Sequence, residues 1–134
     1  RYVPVNYAIW KGDIFCISGG GEHADWYRNL QAHPEIEVML PGGAIYGAVE
    51  TGCKREDRVG IIRQILKNGG FAGFFEGYNP WKISDADLAE KTAGFPLIVI
   101  RPTGMGNGAA DPKGWAWIGW LAVLAALVLF LVLK

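Results

Sequence analysis

The chain is poor in the groups that would commit it to a chemistry of its own. It has only two cysteines, Cys16 and Cys53, and no C-x-x-C spacing. Two thiols so placed make no disulfide framework, and each reads as a thiol in a strand, buried rather than reactive. There is no G-x-S-x-G, no H-E-x-x-H and no Walker loop, so the usual hydrolase, metalloprotease and nucleotide-cradle signatures are missing. The two histidines, His23 and His33, are not at ligand spacing and have no evident third partner. They suit surface or capping roles, and no metal site is expected. No catalytic side chain is assigned either. Excess charge is absent too. The 13 basic and 13 acidic side chains cancel, which gives no signal for nucleic acid. No N-x-S/T site occurs, and nothing argues for an extracellular domain.

What remains is glycine, aromatic residues and alternating apolar runs. The 134 residues suffice for one domain with one core. Arg1 to Trp10 alternates as a strand, and Lys11-Gly12-Asp13 turns it into a second strand from Ile14 to Ser18. Ser18-Gly19-Gly20-Gly21 then leads into a short helix from about Ala24 to Ala32. Glu35 to Leu40 alternates again, Pro41-Gly42-Gly43 turns the chain, and Ala44 to Thr51 reads as a further strand. Lys54 to Lys67 is the main helix, with Val59, Ile62, Ile65 and Leu66 as its stripe and Asn68-Gly69 as its stop. Arg55, Arg58 and Lys67 on it read as a solvated face. Ser84 with Asp87 predicts a capped short helix to about Lys91, and Phe95 to Arg101 a last strand. Successive hairpins with glycine turns favour an antiparallel sheet, closed as a barrel or folded as a sandwich.

The glycine run is the candidate site. Without a Cβ, a ligand can approach the backbone closely. The N–H groups at a helix start suit phosphates and carboxylates. The plain alternative is a tight turn and an amphipathic helix with no ligand. Trp26, Tyr27 and Leu30 fall at helical spacing and would pack that helix down.

The run Trp26-Tyr27-Arg28-Asn29-Leu30-Gln31-Ala32-His33-Pro34, followed by Glu35-Ile36-Glu37-Val38, resembles the W-Y-x-N-L-x-A-x-P-x-V signature of the deazaflavin-dependent nitroreductase family. Val3-Pro4-Val5 and Phe95 to Ile100 resemble that family's opening and closing strands, so the likeness spans about Arg1 to Pro102. It implies an α+β fold: an antiparallel split β-barrel with flanking helices, similar to the FMN-binding split barrels. It also implies a strand and a basic glycine-containing turn before Arg1, so the domain at 1–102 is expected to lack its N-terminal part. By the same resemblance Ser18, Gly19, Gly20 and Gly21 line a deazaflavin coenzyme. Trp26 and Asn29 support that wall, and Tyr78 lines the acceptor pocket. The sequence departs from the family at two points. Gly19 stands where the family often has lysine, and the loop before Trp26 is about two residues shorter. Weaker binding, FMN in place of the deazaflavin, and no cofactor are the alternatives these departures leave.

Beyond the resemblance lies the tail. Thr103 to Gly114 reads as a glycine-rich linker, and its G-x-G-x-G is followed by Ala-Asp-Pro rather than the helix a dinucleotide site needs. Trp115 to Leu133 carries no charged residue. As a helix it is about 28 Å long, close to the roughly 30 Å of a hydrocarbon core. Trp115, Trp117 and Trp120 gather at one end, where indoles prefer the membrane interface. A single-pass cell-membrane protein is expected, its barrel on the cytoplasmic side. Ala122, Ala125 and Ala126 form a smooth stripe that would suit packing against another helix.

Two functions compete. One is a membrane-anchored oxidoreductase that passes hydride from a reduced deazaflavin to a quinone or nitro-type acceptor. The other is a non-catalytic accessory subunit of a respiratory or photosynthetic membrane complex, with the barrel as scaffold.

Overall fold

Lys11 and Gly12 have backbone φ of 51° and 90°. Positive φ at both central residues is the signature of a two-residue type I′ turn, whose twist matches the strands it joins. It joins β1 (Tyr7–Trp10) to β2 (Asp13–Ile17), pairing Trp10 with Asp13 and Tyr7 with Cys16. These elements come from a computed structural model, which describes residues 2–70, 77, 79–108, 122–123, 125–126 and 128–130. After a short 3-10 turn (Gly21–His23) come α1 (Asp25–Ala32), β3 (Glu35–Leu40), β4 (Gly43–Thr51), α2 (Arg58–Asn68), α3 (Asp85–Lys91) and β5 (Leu97–Met105). The fold is α+β, with a five-stranded antiparallel sheet in the order β1-β2-β5-β4-β3.

The chain divides into two units. The first comprises Arg1–Ile36 and Gly47–Thr103. Its centre is the β2–β5 pair, with Phe15 opposite Val99 and Cys16 opposite Ile98. A sheet covered on one face alternates between buried and exposed residues. Here Ile14, Phe15 and Cys16 are buried in succession, and so are Leu97, Ile98, Val99 and Ile100. Both faces are therefore covered. On one face Phe15, Leu97 and Val99 join Ile61, Ile62, Ile65 and Leu66 of α2 and Leu88 of α3 in the core. On the other, Gly47 of β4 sits so close to Ile100 that a Cβ there would collide with its Cγ2.

Arginines tie the helices to this sheet. Arg55 and Arg58 are engaged rather than part of the solvated face expected of them. Arg58 donates to the carbonyls of Thr92 and Phe95 and to the Thr92 hydroxyl, closing the C-terminal end of α3. Its burial lowers its pKa. Arg55 lies 5.3 Å from the centroid of the Phe15 ring and makes two hydrogen bonds to Asp57, of 2.7 and 3.0 Å. Arg63 donates to the carbonyls of Pro80 and Ile83 and to the Asp85 carboxylate. A sequence pattern counts Arg58 as solvated because its acceptors are groups more than thirty residues along the chain.

Several boundaries also move. The first strand begins at Tyr7, not Arg1, and α2 begins at Arg58, not Lys54. Cys53 falls beyond β4, whereas Cys16 is buried and its thiol is pushed up to about 12 by that burial. The stop at Asn68-Gly69 forms as expected, with Gly69 as the C-cap and Gly70 left-handed after it at φ 61°. The Ser84 cap forms as expected, its hydroxyl accepting from the Asp87 N–H at 3.1 Å and donating to the Asp87 carboxylate at 2.7 Å.

The second unit comprises Glu37–Tyr46 and Gly104–Lys134. The expected linker does not start at Thr103, because β5 continues to Met105. Gly106 then donates to the Ala44 carbonyl at 2.8 Å, Gly108 to Glu37 Oε1 at 2.6 Å, and Asn107 to the Tyr46 hydroxyl at 3.1 Å. A Cβ on Gly106 would come within 2.9 Å of Ala44, which explains the glycine. The expected span at 115–133 lies mostly outside the described residues. Among them no helix is long and apolar enough to cross a membrane, while Ala122, Val123, Ala125, Ala126, Val128, Leu129 and Phe130 are helical and exposed.

Candidate functional site

The glycine run leaves the end of β2 as a tight turn. Ser18 is fully buried. Its N–H donates to the Pro96 carbonyl at 3.2 Å, and its hydroxyl donates to the Gly21 carbonyl at 2.7 Å. Gly21 returns its N–H to the Ser18 carbonyl at 3.0 Å. Three bonds thus fix the turn's two ends and leave Gly19 and Gly20 exposed between them. The N–H groups of Gly19 and Gly20 have no hydrogen-bond partner among the described residues.

The four residues therefore divide into different roles. Ser18 braces the turn from within and turns no oxygen outward. Gly21 supplies the one positive φ of the run, 65°, which favours glycine there. Gly20 has an ordinary φ of −81°, and a Cβ on it would meet Ala24 Cβ at 3.3 Å. Among the described residues nothing lies within 4 Å of a Cβ on Gly19, so that position is open for close approach.

Beyond the 3-10 turn, Ala24 precedes α1 as an N-cap that makes no side-chain bond, and Asp25 stands in the helix's first turn. Tyr27 is the buried anchor of α1. Trp26 and Leu30 are half-buried beside it, and Asn29 is exposed. Arg28, on the helix that follows the turn, donates from its guanidinium to the His23 carbonyl at 3.0 Å. Tyr78 lies outside the described residues. The structure thus places Gly19, Gly20, Trp26 and Asn29 at or near the surface of one strand–turn–helix passage, with Ser18 behind it.

The donor set is main-chain N–H. Such donors suit an anionic group, and Arg28 is engaged by the His23 carbonyl. Among the described residues no group of three or more His, Cys, Asp or Glu side chains is placed to hold a metal ion. Comparison of the chain with family models, with curated proteins and with solved structures returned no match.

Proposed function

We propose that the first unit is a split β-barrel and that the protein is a membrane-anchored, deazaflavin-dependent oxidoreductase acting on a quinone or nitro-type acceptor. The single observation that carries this reading is the exposed Gly19-Gly20 step, whose N–H groups have no partner among the described residues, ahead of the helix that opens the W-Y-x-N-L-x-A-x-P run. Burial on both faces of β2 and β5 supports the barrel, whose interior would take one face and whose flanking helices take the other. Gly19 and Gly20 would hold the coenzyme's acidic side through main-chain N–H groups, and Trp26 and Asn29 would support the wall beside it. The coenzyme, when bound, supplies the hydride, and the protein positions it and shapes the acceptor site. The apolar run at 115–133 would anchor the domain where a lipid-soluble acceptor is concentrated.

The test begins with the absorption spectrum of protein extracted in mild detergent, which separates deazaflavin, flavin and no chromophore. Gly19→Val is the informative variant, because its Cβ meets no atom of the described residues within 4 Å. It should keep the far-UV circular dichroism and lower coenzyme affinity at least tenfold, about 1.4 kcal/mol. Unchanged affinity in a folded variant would remove the turn from the site.

A second reading has its own support. Ser18 spends its hydroxyl on the turn itself, Arg28 is held by His23, and the exposed side-chain charges of the passage, Glu22 and Asp25, are those that repel an anion. That suits a non-catalytic accessory subunit of a membrane complex. On this reading the protein carries no chromophore and co-purifies with larger membrane partners.

A further inference from the structure

Asparagine followed by glycine occurs twice in the chain, at Asn68-Gly69 and Asn107-Gly108. In such a pair the glycine nitrogen can attack the asparagine side-chain carbonyl, because no Cβ shields it. The fold treats the two pairs in opposite ways. In α2 the Gly69 N–H is committed to the Ile65 carbonyl at 3.0 Å. The Asn68 carboxamide is held at both ends, its oxygen accepting from Gln64 at 2.8 Å and its nitrogen donating to the Tyr7 carbonyl at 3.0 Å. Asn107-Gly108 instead follows β5 outside any helix or strand, with Asn107 exposed. Here the Gly108 N–H donates to a carboxylate oxygen, Glu37 Oε1 on β3, at 2.6 Å. Asn107 Nδ2 donates to the Tyr46 hydroxyl on β4 at 3.1 Å. A base thus stands on the attacking nitrogen, and the leaving nitrogen is held by a partner of its own. A Cβ on Gly108 would lie 3.1 Å from both Glu37 Oε1 and Ala44 Cβ, so glycine is what admits the carboxylate.

We propose that Asn107-Gly108 is a self-deamidating site, with Glu37 as its base and Tyr46 positioning the carboxamide. A main-chain carbonyl would hold the Gly108 N–H equally well, but only a carboxylate can also take its proton. As Glu37 accepts that proton, the Gly108 nitrogen forms a bond to Asn107 Cγ. The Cγ–Nδ2 bond then breaks, and the nitrogen leaves as ammonia with one proton from solvent, to which Glu37 returns its own. Water adds to either carbonyl of the resulting succinimide and opens it to aspartate or isoaspartate. One water is consumed and one ammonia released, with nothing oxidised or reduced. Both products replace a carboxamide that donates to Tyr46 by a carboxylate that cannot. Isoaspartate also routes the main chain through the side-chain carbon, which moves the Gly108 N–H off Glu37. The reaction therefore loosens the fastening of residues 106–108 to the β3–β4 hairpin, which rests on these bonds and on that from Gly106 to Ala44.

The test is peptide mapping by mass spectrometry of the full chain, incubated near neutral pH either folded in mild detergent or unfolded in guanidinium. Both Asn-Gly pairs are followed in the same samples. Folding should speed the amide-to-acid conversion at Asn107 at least about fivefold, a small part of the roughly 10²–10⁴-fold that a placed base contributes. It should slow the conversion at Asn68. Glu37→Gln keeps an acceptor for the Gly108 N–H and removes the base. In that variant the folded rate at Asn107 should fall to the unfolded value or below, with Asn68 unchanged. A wild-type folded rate at Asn107 no higher than the unfolded one overturns the proposal, and the Glu37 bond then only ties the N–H down. A fast folded rate that persists in Glu37→Gln, with native circular dichroism, overturns Glu37 as the base. Should the variant not fold, the wild-type comparison of folded and unfolded chains still decides.

Discussion

At Asp57 one carboxylate holds three elements together. It accepts from Arg55 and from the Trp10 indole at 3.0 Å, and Lys11 stands 3.7 Å away. The Arg55 hydrogen bond, followed by that from Trp10, holds its pKa below the ordinary 3.8 against the opposing cost of desolvation. A carboxyl with a lowered folded-state pKa contributes stability that is fully present above its unfolded value and is lost as pH falls through the folded one. The stability difference between wild type and Asp57→Asn should therefore be constant above about pH 5 and shrink below about pH 4. Urea titrations across that range check it, and a difference that grows on acidification would contradict the assignment. Position 57 also shows what a cap pattern can miss. Asp57 precedes α2 where a capping side chain belongs, yet its carboxylate makes no cap bond and turns to Arg55 and Trp10 instead.

Among the elements, α2 is the one most exposed to single changes. It covers the sheet with Ile61, Ile62, Ile65 and Leu66, yet carries a glycine in its first turn. Gly60 has no positive φ, is exposed, and a Cβ on it would sit 3.8 Å from the Trp10 ring, an ordinary contact. Gly60→Ala should therefore stabilise the fold by about 0.5–1 kcal/mol, read as a higher urea midpoint with an unchanged slope. Gly47→Ala, in β4, should do the opposite, because its Cβ collides with Ile100 in a filled interior. A loss of about 1–3 kcal/mol is expected from chemical denaturation. The two glycines look alike in sequence, and only their neighbours give the substitutions opposite signs.

For the whole molecule, the place where the folded domain ends is testable by truncation. The resemblance ends the domain at Pro102, but β5 runs to Met105 and the chain is fastened to the hairpin through Gly108. A protein ending at Gly114 keeps those bonds, whereas one ending at Pro102 loses them. The longer form should stay soluble and folded without the apolar run. The shorter should be less stable by about 1–3 kcal/mol, the net worth of the few hydrogen bonds removed. Equal melting of the two in calorimetry would mean that residues 103–108 contribute nothing to the fold.

Local chemistry was enough to read the hairpin turn at Lys11-Gly12, the Ser84 cap, the antiparallel strands and the helix bearing Trp26 and Tyr27. Each of these depends on residues within a few positions of one another. The same local reading located the glycine run but could not divide its labour. Ser18 braces, Gly21 bends and Gly19 stands open because of Pro96, Ala24 and the turn's own carbonyls, whose positions the fold sets. The roles of Arg55, Arg58 and Arg63, and the meaning of Gly106 and Gly108, were likewise decided by tertiary structure. Their partners are carbonyls, a ring and strands distant in the chain, and a pattern of residue types carries no record of which distant backbone will arrive beside it.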